Sequence, residues 1–330
     1  MGRNHRATNR IFQYLHEKGN SSIMPETLMA SVKPPRRNKG PGPRKAKSSP
    51  PLVSIVVLCH NDWAYLKRCL ASISRHTKPG SHEIIIVDNA STDGARPHLR
   101  RLRARKNVKV IFNDQNRYFA GGNNDGILIS RGRYVLLLNA DVVVGPGWLE
   151  RLLRCAESDP AVGIVAPCTN HAAGIQLVKK PGYSSLRSFP AFADRWAKCF
   201  DGQVVPAHRL IGFCLLIKRE VVDTIGVLDE RFGPGGYEDY DYCMRARQAG
   251  YSLAVAKDVF IHHFGGKGYV GVDYDRLRLF NRELLARKWS DFIIMALDDL
   301  DDYFKKPLMN NLTPNPASRL LAKAAGPRSS

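Results

Sequence analysis

The chain has 330 residues, a hydrophobic fraction of 44% and a formal net charge of +20, enough for one large buried core with tails. No apolar run approaches the roughly 18 residues of a membrane span, and Met1–Arg10 lacks the apolar core of a signal peptide. Seven scattered cysteines with no CxxC pair argue against a disulfide framework and a thiolate metal site, and fit reduced thiols in a cytosol.

Residues 1–50 carry 11 Lys or Arg against 2 Asp or Glu, a bias toward anionic partners such as nucleotide phosphates, nucleic acid or an acidic membrane surface. Ile11–His16 has the spacing of a short amphipathic helix, whereas 33–51 is too rich in Pro, Gly, Lys and Arg to pack and reads as a disordered basic linker. Order begins at Leu52. Val53–Cys59 reads as a buried strand, followed by the loop His60-Asn61-Asp62 and a helix over Trp63–His76, with Asp62 or Asn61 as its cap. Glu83–Val87 is a second buried strand, ending in the polar run Asp88–Gly94. Strand, helix and strand in this order predict a parallel βαβ unit. A helix over Ala95–Arg105, a strand over Val108–Phe112 and a glycine-rich loop over Asn116–Asn124 come next, the loop leading into another helix. No GxGxxG follows the first strand, so the dinucleotide-binding fingerprint is absent.

Tyr134–Val144, YVLLLNADVVV, is a strand buried on both faces that stops at Asn139-Ala140-Asp141. A helix from Trp148 to Glu157, a strand over Val162–Pro167 and an irregular, partly aromatic stretch over 169–207 follow. Strand character resumes over Arg209–Ile217 and helix over Lys218–Ile225. A second concentration of chemistry, LDERFGPGGYEDYD, spans 228–241 and opens a helix that Gly250 ends. Short strands over Leu253–Ala256 and Val259–Ile261 deliver His262-His263, and beyond Val272 the pattern is mainly helical, then a Pro/Ser/Lys tail. Each acidic or histidine cluster follows a strand or opens a helix. In a doubly wound α/β sheet those ends share the edge where ligands bind, so Asp88, Asp141, Glu238, Asp239 and His262 are expected to converge on one cleft.

These stretches resemble the inverting GT-A glycosyltransferases of family 2, especially their rhamnosyltransferase-like branch. The resemblance is carried by VSIVVLCHND (53–62), EIIIVDNASTDG (83–94), NRYFAGGNNDGI (116–127), YVLLLNADVVV (134–144), the run from Gly212 to Tyr251, and HHFGG (262–266). It implies a GT-A, Rossmann-like α/β fold with a mainly parallel central sheet over 52–290, flanked by a basic tail over 1–51 and a helical extension with a flexible tail over 291–330. It also implies a nucleotide-diphospho-sugar donor. Cys59, His60, Asp88, Asp93, Asn116, Gly122, Asn123 and Asn139 then fall on the donor side. Asp88 would recognise base and ribose, His60 stands where many relatives carry a base-stacking aromatic, and Asp93 either assists the nucleotide pocket or caps a helix. Asn139-Ala140-Asp141 matches the DxD-type metal motif with its first acid replaced by Asn. The implied cofactor is a divalent cation, manganese before magnesium because imidazole is a ligand, held by Asp141 with His262, or with His263 in its place. Glu238-Asp239 matches the acceptor-side pair, Asp239 as base and Glu238 orienting.

The implied acceptor is a hydroxyl of a saccharide or lipid-linked saccharide, and the implied location the cytoplasm, with peripheral contact to an anionic membrane through the basic tail. Three alternatives weigh against this reading. A nucleotidyltransferase of the same fold would carry a basic phosphate loop after the first strand, where this chain has CHNDWAY. A catalytically impaired relative used as a scaffold is the second. A nucleic-acid binder is the third; its only support is charge concentrated in a Pro-rich tail.

Overall fold

The computed structural model describes residues 51–265 and 273–289, all within the unit Pro51–Ser330. The Ile11–His16 helix, the basic linker up to residue 50 and the tail over 291–330 lie outside the described residues. Nine strands form one mixed sheet in the order β3-β2-β1-β4-β8-β6-β9-β5, with β7 also pairing on β9. They are β1 (Val53–Cys59), β2 (His82–Asn89), β3 (Val108–Asn113), β4 (Tyr134–Asn139), β5 (Val142–Val143), β6 (Val162–Thr169), β7 (Val204–Ala207), β8 (Cys214–Lys218) and β9 (Ser252–His263). The first four in spatial order are parallel; β8 runs antiparallel to both β4 and β6, and β6 and β9 are parallel again.

Helices cover both faces, which is why the central strands read as unbroken apolar runs. The helices are α1 (Trp63–His76), α2 (Ala95–Leu102), α3 (Tyr118–Ile129), α4 (Trp148–Ala156), α5 (Phe189–Cys199), α6 (Arg219–Ile225), α7 (Glu238–Gln248) and α8 (Tyr274–Lys288). Leu66, Cys69 and Ile73 of α1, Leu99 of α2 and Leu149 and Leu152 of α4 bury against Ile55, Val57, Ile86, Leu136 and Leu138. The alternate residues Val56, Ile85, Val87, Val135 and Leu137 face Ile127 of α3, Phe189 and Trp196 of α5, Val221 of α6 and Tyr242 of α7. The period of two along each strand thus builds two cores from one sheet.

Four local readings change. The glycine-rich stretch is helix from Tyr118 onward, because Gly122 and Gly126 let α3 lie directly on the sheet: a Cβ at Gly126 would come within 2.3 Å of Val56 Cγ1. The cap of α1 comes from across the chain, since Asp93 Oδ2 accepts from Trp63 N–H at 2.9 Å and Asp62 makes no side-chain cap bond. The two short strands near 253–261 are one strand, β9, which β6 follows through a register shift at Pro167/Cys168. The stretch 169–207 contains α5 and β7; Trp196 of α5 donates from Nε1 to Lys257 O at 2.7 Å and fixes that helix to β9.

Candidate active site

Register brings the strand ends level. Cys59 of β1 sits beside Asp88 of β2, and Leu58 beside Asn139 of β4. Asn139 N–H donates to Phe213 O at 2.9 Å, which brings the start of antiparallel β8 to the same edge. Gly212 N–H, one residue earlier, donates to Asp239 Oδ2 at 2.9 Å. At the other end of the row Val142 of β5 pairs with His263 of β9. Four non-glycine residues in the loops that flank these ends hold left-handed backbone: Asn61 (φ 57°), Ala90 (φ 60°), Tyr118 (φ 59°) and Tyr237 (φ 74°). Such conformations persist where surrounding structure over-determines them, and they cluster at functional sites.

The loops after β1 and β2 interlock. His60 Nδ1 bonds Asn89 O at 2.6 Å; a carbonyl only accepts, so Nδ1 carries the proton. Asn61 Oδ1 accepts from Thr92 N–H at 2.7 Å, and Asn61 N–H donates to Ser91 Oγ at 3.0 Å. Asp93 spends both oxygens on helix N-termini, accepting from Trp63 N–H at 2.9 Å and Ala95 N–H at 3.1 Å. Asp88 is fully buried: Oδ2 accepts from Arg96 Nε at 2.7 Å and Oδ1 from Ser91 N–H at 3.2 Å. Burial pushes the Cys59 thiol up to about 12, so it stays protonated and contributes shape rather than charge. Asn116 Oδ1 accepts from Tyr118 N–H at 2.8 Å and sets the start of α3. Gly122 and Asn123 lie inside that helix and are buried, Asn123 donating to Phe119 O at 2.9 Å.

Asp141 and His263 form the second group. His263 Nε2 is 3.2 Å from Asp141 Oδ1, while Nδ1 lies 2.7 Å from His171 O. The carbonyl again fixes Nδ1 as the proton-bearing nitrogen, so Nε2 presents a lone pair to a carboxylate. A ring nitrogen held by a backbone carbonyl is how metal-ligating histidines are usually oriented. Asn170 clamps the His263 backbone, donating to its carbonyl at 2.9 Å and accepting from its N–H at 2.8 Å. The ring also stacks on Phe213, 5.2 Å between centroids. His262 is turned elsewhere: its Nδ1 bonds Tyr183 OH at 2.5 Å, and burial, with His263 adding to it, holds its basicity below the usual histidine range. Among the described residues no cluster of three or more His, Cys, Asp or Glu side chains is arranged as a metal site.

Glu238 and Asp239 open α7. Asp239 is half-buried; its Oδ2 is held by Gly212 N–H, and its Oδ1 accepts from Tyr240 N–H at 2.8 Å. Burial raises the Asp239 carboxyl above its ordinary value, against the pull of Arg209 and the two backbone donors. Glu238 is buried, and its Oε2 has no hydrogen-bond partner among the described residues. Burial, then the neighbouring Asp239 charge, pushes the Glu238 carboxyl up to about 8, so at neutral pH it keeps its proton.

Three polar residues take roles that the sequence did not signal. Arg96 neutralises Asp88, and Asn170 clamps His263. Asn124 holds Leu228 from both sides, Nδ2 to its carbonyl and Oδ1 from its N–H, each at 2.9 Å. A short-range cue existed only for Arg96, which lies two residues beyond the Asp88–Gly94 run, in the first turn of α2.

The family model described as glycosyl transferase family 2 matches residues 54–226. An uncharacterized protein of Sinorhizobium fredii is 27% identical over 304 residues, covering 86% of this chain; the chain spans only 33% of that protein. The N-acetylglucosaminyl-diphospho-decaprenol L-rhamnosyltransferase of Mycobacterium tuberculosis is 26% identical over 247 residues, 64% of this chain and 76% of that enzyme. Among solved structures, the mannosyltransferase PcManGT of Pyrobaculum calidifontis, in complex with GDP-Man and Mn2+, superposes with a TM-score of 0.51 at 22% identity, over 70% of this chain and 61% of that one. That likeness bears on the fold, and it agrees with the strand order and two-faced helix cover described above. The chain belongs to glycosyl transferase family 2 and has its GT-A fold.

Proposed function

We propose that the chain transfers a sugar from a nucleotide-diphospho-sugar to a hydroxyl of a saccharide or lipid-linked saccharide, inverting the anomeric centre with the help of a divalent cation. The observation that carries this reading is one sheet edge bearing two unlike acidic pairs: Asp141 beside His263, and Asp239 beside Glu238. Likeness to an enzyme named for N-acetylglucosaminyl-diphospho-decaprenol favours a lipid-linked acceptor.

Asp141 and His263 would hold the cation, and a mixed imidazole–carboxylate set suits Mn²⁺ better than Mg²⁺. When bound, it would neutralise charge growing on the departing diphosphate. Asp239 accepts the proton of the attacking hydroxyl. Its carboxylate is held by the Gly212 and Tyr240 N–H groups, which orient it. Glu238 keeps its own proton and orients Asp239 or the acceptor. The loops 60–63 and 88–95 form the nucleoside side, with His60, its outer ring nitrogen an acceptor, at their join. Asp88 acts there through Arg96 and Ser91, both of its oxygens being occupied. Among the described residues no helix is long and apolar enough to cross a membrane.

The test is release of nucleoside diphosphate from a panel of UDP-, GDP- and dTDP-sugars with simple glycoside acceptors, in Mn²⁺, Mg²⁺ or excess chelator. The reading expects acceptor-dependent release from one donor class that chelator abolishes. Release indifferent to chelator, or none from any donor, contradicts it.

A further inference from the structure

We propose that Asn281 of α8 is a positioning residue: its buried side-chain amide holds the Phe232–Gly236 turn and thereby sets the direction in which Glu238 and Asp239 project from the start of α7. The inference rests on the acceptor-side role given to that pair, but its geometry stands without it. Asn281 also lies beyond the family match, which ends at residue 226.

The turn before α7 cannot satisfy itself. Gly233 (φ 60°), Gly235 (φ 139°), Gly236 (φ 94°) and Tyr237 (φ 74°) hold positive φ almost consecutively, so this backbone enters neither a helix nor a strand ladder. Its buried carbonyls need donors from outside. Asn281, fully buried, supplies them: Nδ2 donates to Phe232 O at 2.8 Å, Gly236 O at 2.9 Å and Gly235 O at 3.1 Å. Two N–H groups serve three acceptors, so one is shared. Oδ1 of the same amide is buried with no partner among the described residues, so the side chain serves the turn purely as a donor.

The rest of α8 is fixed on both sides of the acidic pair. Lys288 Nζ lies 2.7 Å from Asp229 before the turn and 2.8 Å from Asp241 within α7. Trp289 Nε1 donates to Asp241 Oδ1 at 2.9 Å, and Leu285 packs with Phe232 and Tyr240. Residues 229 and 241, which bracket Glu238-Asp239, are therefore tied to one helix. Tyr237, a bulky residue in left-handed backbone, is where α7 starts, so a small relaxation of the turn rotates the first residues of the helix. From outside α7, Arg209 opposes the rise that burial causes in the Asp239 carboxyl.

The test compares Asn281→Ala, Asn281→Ser and Leu285→Ala with the parent chain. Glu238's carboxyl is titrated by ¹³C NMR, and kcat and donor KM are measured with a nucleotide-sugar accepted in the panel above. Asn281→Ala should lower the Glu238 midpoint, because the relaxed turn admits water. It should also lower kcat by on the order of 10²-fold, as expected for small misplacement of a reacting group, while donor KM stays within about twofold. Asn281→Ser keeps one donor and should fall between, and it carries the test alone if Asn281→Ala does not fold. Leu285→Ala, which leaves the three Asn281 hydrogen bonds in place, should lower the melting temperature and move midpoint and kcat less than Asn281→Ala does. An unmoved Glu238 midpoint and kcat in the Asn281 variants, or equal shifts in Leu285→Ala, would overturn the proposal. Failure of the parent chain to use any donor would sink the transferase reading instead, and the Glu238 titration would still decide the role of Asn281.

Discussion

Asp141 Oδ1 and His263 Nε2 face each other at 3.2 Å, brought together by the pairing of β5 with the last residues of β9. Asp141 comes from the break in the central run YVLLLNADVVV, and His263 is held by Asn170 and the His171 carbonyl. His262, one residue earlier, bonds Tyr183 instead. Adjacent strand residues project to opposite sides, so only one of the two histidines can face Asp141.

His263→Ala should therefore cost more metal affinity than His262→Ala. With Mn²⁺ binding followed by electron paramagnetic resonance in the presence of nucleoside diphosphate, we expect a loss of at least about 10-fold for His263→Ala and little change for His262→Ala. The reverse order would place the cation elsewhere.

Arg96→Ala should destabilise the fold. Asp88 is fully buried and Arg96 is its ion-pair partner at 2.7 Å, so the variant leaves a buried carboxylate without a counter-charge. Loss of one partner from such a pair typically costs about 3 kcal/mol, read as a shift of the urea midpoint. A midpoint equal to the parent's would mean Asp88 is adequately held by Ser91 alone.

Glu238 predicts a slope of stability with pH. Its carboxyl is raised from an ordinary 4.5 to about 8 in the fold, so between those values the folded chain keeps a proton that the unfolded chain has released. Stability should fall as pH rises through that window, by at most about 1.4 kcal/mol per unit, and level off above it. Glu238→Gln removes that contribution and should gain on the parent steadily from pH 5 to 8 in thermal melts. Parallel melting curves across that range would show that Glu238 is not buried as a neutral acid.

Gly126→Ala tests the seating of α3. The added Cβ would meet Val56 Cγ1 at 2.3 Å inside the core, an overpacking that typically costs about 1–3 kcal/mol. An unchanged melting temperature would mean α3 can lift from the sheet.

The sheet edge was legible because buried strands announce themselves: VSIVVLC, EIIIV and YVLLL end at His60, Asp88 and Asn139, and parallel pairing puts those ends level. What failed to show were side-chain clamps across long sequence separations, Asn124 to Leu228 over 104 residues and Asn170 to His263 over 93. An asparagine carries no periodic signal, so its partner emerges only when the sheet is assembled. GGNN misled for a related reason: glycines that permit close packing of a helix look in sequence like glycines that permit a turn. Asp93 was readable as either a cap or a nucleotide ligand, and the fold spends it on two helix N-termini.

The most direct test of the central claim is the transfer rate of Asp239→Asn at saturating donor, measured beside the affinity for nucleoside diphosphate. The substitution keeps size and much of the hydrogen bonding but cannot take the acceptor's proton. The account predicts a fall of about 10²–10⁴-fold in rate with near-native nucleotide affinity, since donor and cation are assigned to other residues. A variant that transfers sugar at the parent's rate would contradict it, and the base would have to be sought elsewhere on the sheet edge.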